Sequence, residues 1–135
     1  RTLKKKGAIV GLHCCSNTDW KSILDLELDI ISLDAALSLD GLLENKKDLQ
    51  RFIENGHRLS LGIVSTNPAL AGMESDAVLI QKMKAHIEDA TLVKKILSQA
   101  ILTPACGLAF KTAQQCESIY VQLRDIKSSL LKKMF

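Results

Sequence analysis

A chain of 135 residues with an apolar fraction of 47% has the size and composition of one globular domain with its own core, which argues against disorder. Aromatic residues make up only 4%, and the small net charge of +3 comes from basic residues at the two ends, Arg1 to Lys6 and Lys127 to Lys133, so no nucleic-acid partner is indicated. No apolar run approaches the about 18 residues that a bilayer requires, and no signal-peptide order opens the chain, so the expectation is a cytoplasmic protein with no membrane partner.

Four short apolar runs read as strands, at Gly7 to Leu12 (GAIVGL), Asp29 to Leu33 (DIISL), Leu59 to Val64 (LSLGIV) and Ala100 to Thr103 (AILT). They are continuous rather than alternating, as strands are when both faces of a parallel sheet are covered. Between the first two, Thr18 to Glu27 places Trp20, Ile23 and Leu24 on one helical face. Lys46 to Glu54 groups Leu49, Phe52 and Ile53 before an Asn55-Gly56 stop. After the third strand, Asp76 to Ile87 offers Ile80, Met83 and Ile87, and Thr91 to Gln99 forms a further helix capped by Asp89 or Thr91. The last helix runs from Lys111 to about Lys132, with Ala113, Cys116, Tyr120, Leu123, Ile126 and Leu130 at three-and-four spacing.

The resulting order, βαβαβααβα, is α/β with right-handed crossovers onto a parallel sheet, and its four βα units make half of a TIM (β/α)8 barrel. A complete barrel takes about 250 residues, so the expectation is one domain over residues 1–135 that is truncated, split or completed by another chain. An open four-stranded sheet is the alternative.

In such a domain functional groups gather at the C-terminal ends of the strands. After the first strand come His13, Cys14 and Cys15; after the second, Asp34; after the third, a loop from Ser65 to Ser75 that contains Glu74; after the fourth, Pro104-Ala105-Cys106-Gly107. Adjacent cysteines make a poor disulfide framework, which leaves metal binding as the live use of these thiols. Residues two apart in an extended segment share a face, so His13 and Cys15 point together while Cys14 points away. With Cys106 they form a His and two-Cys set suited to tetrahedral zinc with one position open. From pattern alone, a metal site and a set of cysteines that merely pack both remain open. Cys116 reads as core, His57 and His86 as surface, and Trp20 as packing.

GLHCCSNTDW (Gly11 to Trp20), DIISLDA (Asp29 to Ala35), LSLGIVSTN (Leu59 to Asn67) and LTPACGLAF (Leu102 to Phe110) together resemble the C-terminal portion of the cobalamin-independent methionine synthase family, across nearly the whole chain. The most specific pieces are H-x-C after the first strand and the C-G-L turn after the last. The resemblance implies a methyltransferase of methionine biosynthesis in which zinc activates a thiol, homocysteine or a similar one, toward a methyl-folate or methyl-corrinoid donor. It implies His13, Cys15 and Cys106 as zinc ligands and an intervening acid as the fourth. That acid falls at Asp34, where the family has glutamate; Asp34 either ligates, orients His13 or caps the next segment, with Glu74 as a substitute. The implied partners are the thiol, the methyl donor, and an absent N-terminal half or a homodimer mate. The contrasting expectation is a non-catalytic, metal-binding or structural fragment.

Overall fold

The computed structural model describes residues 2–16, 18–66 and 75–134. Its elements in chain order are α1 (Thr2–Lys5), β1 (Gly11–Cys14), α2 (Trp20–Leu24), β2 (Ile30–Asp34), α3 (Ala35–Leu43), α4 (Lys46–Glu54), β3 (Arg58–Val64), α5 (Asp76–His86), α6 (Ala90–Gln99), β4 (Ile101–Pro104) and α7 (Ala113–Met134). The four strands form one sheet in the order β1-β2-β3-β4, every pair parallel. Strands that neighbour each other in both sequence and space, joined by helical crossovers of one hand, put all the helices on one face. This is the arrangement of successive βα units in a barrel, and it differs from doubly wound sheets, whose strand order reverses.

The register separates two faces. Leu12 pairs with Ile31, Ile31 with Leu59, Leu33 with Leu61 and Leu61 with Leu102, so these side chains share the helix-covered outer face. Ile31, Leu33 and Leu61 there are fully buried, each such side chain contributing roughly 1.5–3 kcal/mol relative to exposure. The alternate positions form the inner face, which carries His13, Ser32, Ser60 and Thr103 together with Ile30, Arg58 and Ile101. β1 is an edge strand, with Gly11, Leu12 and His13 exposed, and Ile101 is exposed on β4 at the other edge.

Several differences from the sequence reading stand out. The first strand starts at Gly11 rather than Gly7, because Gly7 turns the chain at φ 77° and Val10 is held by the Asp29 side chain. His13 and Cys14 therefore lie within the strand and not after it. α3 was not anticipated: Ala35, Ser38, Leu39, Leu42 and Leu43 are buried along so broad a surface that no narrow apolar stripe marks it. Trp20 packs on Gly41 of this helix, where a Cβ would lie 3.3 Å from the indole nitrogen. On α7 the buried stripe is Ile119, Leu123 and Leu130, with Tyr120 exposed and Cys116 half-buried. His57 and His86 are half-buried, the first against the Phe52 ring and the second bonded to the Lys82 carbonyl.

Candidate metal centre

Each strand delivers something to the C-terminal end of the sheet, and it does so through the alternation of its side chains. On β1, His13 faces inward while Cys14 turns outward and packs against the core. One residue past the strand, Cys15 returns to the side of His13. β4 is separated from β1 by three strand spacings, roughly 14 Å, so its turn must come back across the sheet to join them. Two features let it do so. The register shifts between Gly62 and Val64, and the Ala105 N–H is donated to the Val64 carbonyl at 2.9 Å, which draws the turn over β3. Beneath it lies Gly62: a Cβ there would sit 2.6 Å from the Ala105 Cα and 3.0 Å from the Leu33 carbonyl oxygen.

The outcome is a group of three. One ligand atom each from His13, Cys15 and Cys106 lie within 4.8 Å of one another, all three residues being exposed at the open end of the sheet. Donors around one tetrahedral zinc stand about 3.5–3.8 Å apart. Side-chain rotation of roughly 1 Å closes the difference, and the donor set, two thiolates and an imidazole, is one that zinc accepts.

Two neighbours support these side chains. The His13 Nδ1 is 2.9 Å from the Ser32 Oγ, and the Thr66 side chain lies beside Cys106. Partial burial, together with the Cys15 thiol and the Asp34 charge, pushes the Cys106 thiol above its ordinary range, and the Thr66 side chain opposes this only in part. Without a cation, Cys106 therefore stays protonated at neutral pH.

Asp34 stands apart from the group of three. It is the last residue of β2 and the N-cap of α3, its Oδ1 accepting from the Ala36 N–H at 2.8 Å and the Leu37 N–H at 3.1 Å. Its charge still reaches Cys106. Glu74 lies outside the described residues. Sequence reasoning brought His13, Cys15 and Cys106 forward but missed Ser32, Gly62 and Thr66. Ser32 and Gly62 could have been found only from the strand register, and Thr66 only from the path of the loop.

Successive parallel strands with helices on one face, and a cluster of soft donors at the strand ends, define a barrel segment with its functional groups at the usual end. A family model described as the cobalamin-independent synthase catalytic domain matches residues 2–128, and the chain belongs to that family. No curated protein and no solved structure matches the chain significantly. The family is one of α/β barrels, and its chemistry is methyl transfer. No helix among the described residues is long and apolar enough to cross a membrane.

Proposed function

We propose that this chain is the zinc-holding part of a methyltransferase that transfers a methyl group to a thiol, homocysteine or one like it. The observation that carries the reading is the convergence of His13, Cys15 and Cys106 from the two outermost strands of the sheet. Chance clustering of soft donors from opposite edges is disfavoured, because it needs a turn folded back over a side-chain-free residue. A bound zinc ion would supply the positive charge that keeps a substrate thiol ionised near neutral pH.

The chain's own residues do the rest. His13, Cys15 and Cys106 would hold the ion, and three protein donors leave a tetrahedral zinc one position for the thiol. Asp34 terminates β2 and caps α3. Its carboxylate is buried in the cap of α3, and its charge still acts on Cys106. The two strand edges fit further parallel strands, from the same polypeptide or a partner chain, which would complete the barrel and carry the methyl donor, a methyl-folate or a methyl-corrinoid.

Zinc content of the purified chain tests the site. One equivalent is expected for the natural sequence and none for Cys106→Ser; a metal-free natural chain, or retention by the variant, overturns it. X-ray absorption of the zinc-loaded protein with homocysteine tests the thiol, an added sulfur neighbour being expected and an unchanged spectrum refuting thiol binding. A non-catalytic metal fragment would pass the first test and fail the second.

A further inference from the structure

We propose that Ser32 is a positioning residue for His13, holding its ring so that Nε2 and not Nδ1 is the nitrogen offered to the metal. This rests on the metal reading above and adds to it which nitrogen binds and what fixes it. The two residues are register partners on neighbouring strands of the inner face, and the His13 Nδ1 stands 2.9 Å from the Ser32 Oγ.

The chemistry follows from the proton count of the ring. A neutral imidazole has one N–H and one lone pair, so the nitrogen that binds metal is the one without the proton. With the Ser32 hydroxyl on Nδ1, no ion can approach that atom in the ring plane. If Nδ1 carries the proton and donates it to Ser32, Nε2 keeps its lone pair for the metal. Were the hydroxyl instead to donate to Nδ1, Nε2 would carry the proton and His13 could not ligate. Metal uptake thus selects the first arrangement, and the hydrogen bond stabilises it in return.

The mechanical context makes this bond matter. β1 is an edge strand, paired on one side only, and the His13 side chain is exposed, so the ring has little packing to stop it turning about its soft terminal torsion. β2 is paired on both sides and its outer-face residues Ile31 and Leu33 are fully buried. Ser32 therefore ties His13, on an edge strand, to a strand paired on both sides.

The test compares Ser32→Ala and Ser32→Thr with the natural 135-residue chain, measuring zinc affinity by competition with a chromophoric chelator. Long-range nitrogen–proton correlation spectra of the zinc-loaded His13 ring and thermal unfolding of the metal-free chains complete it. Expected are a spectrum with the proton on Nδ1 and the metal on Nε2, affinity about 10- to 100-fold weaker in Ser32→Ala, and recovery to within about threefold in Ser32→Thr, which keeps the hydroxyl. A spectrum with zinc on Nδ1, or Ser32→Ala binding within about twofold of the natural chain, overturns the inference. A lowered melting temperature of metal-free Ser32→Ala with undiminished zinc affinity also overturns it, since that is a purely structural role. If the natural chain takes up no zinc, the metal reading itself fails; if it binds and Ser32→Ala binds equally, only the role of Ser32 fails.

Discussion

Gly62→Ala is the most direct probe of how the site is assembled. The added Cβ would meet the Ala105 Cα at 2.6 Å, the Leu33 carbonyl oxygen at 3.0 Å and the Pro104 carbonyl oxygen at 3.2 Å. All three are backbone atoms of β2 or of the β4 turn, so no side chain can swing aside. Ordinary carbon–carbon contact begins near 3.4 Å, so the Ala105 segment must rise by most of an ångström, and Cys106 is the next residue. Overpacking of this kind costs about 1–3 kcal/mol, and the upper half of that range applies where backbone must move. Moving one ligand by that distance should also weaken zinc binding by at least about tenfold, as loss of supporting contacts around a metal site does. Gly107→Ala is the control: it lies in the same turn, beside Cys106, and a Cβ there meets nothing within 4 Å. Its stability should stay within about 0.5 kcal/mol of the natural chain, the range of surface substitutions. Urea unfolding of the metal-free chains and zinc competition read the two effects separately. If Gly62→Ala matches Gly107→Ala in both, the turn is not built over Gly62 as described.

Asp34→Ala should lose about 1 kcal/mol through its cap, while Asp34→Asn, which caps as well, should keep stability and zinc; zinc loss in Asp34→Asn would make Asp34 a ligand. The same variant removes a charge that raises the Cys106 thiol, so alkylation of Cys106 in the metal-free chain should set in at lower pH. Cys14→Ser should retain zinc and Cys15→Ser lose it, because Cys14 packs against the core on the far face; equal loss would contradict the strand alternation. Since Cys106 holds its proton through neutral pH, zinc uptake must displace it, and apparent affinity should rise about tenfold per pH unit from this thiol alone; a flat profile by isothermal titration would count against it. At Asp76, burial pushes the carboxyl up, but bonds to Lys133 at 2.6 Å and Ser129 at 2.7 Å outweigh it and hold it below its ordinary 3.8. This contribution is present above that value and is lost as pH falls through the lowered one. The stability advantage over Asp76→Asn, about 1 kcal/mol near neutrality, should therefore vanish under acid; an advantage that persists there would refute the pairing.

The sequence by itself determined the parallel strands, through continuous β-branched and leucine-rich runs, and brought His13, Cys15 and Cys106 forward as candidate donors, through H-x-C and P-A-C-G beside those runs. Cys14 was correctly set apart from Cys15 because a strand's alternation is a property of the backbone and needs no partner. α3 stayed hidden because a helix buried on a wide front has no periodic contrast between its faces. What only the tertiary structure decided is distance. Nothing local says that the first and last of four strands can place these candidate donor atoms within 4.8 Å of one another. The last turn crosses over a glycine of the third strand, and a serine of the second stands against the histidine of the first. These are contacts between residues far apart in the chain, each an ordinary side chain in its own segment, and they acquire meaning only when the register sets them side by side.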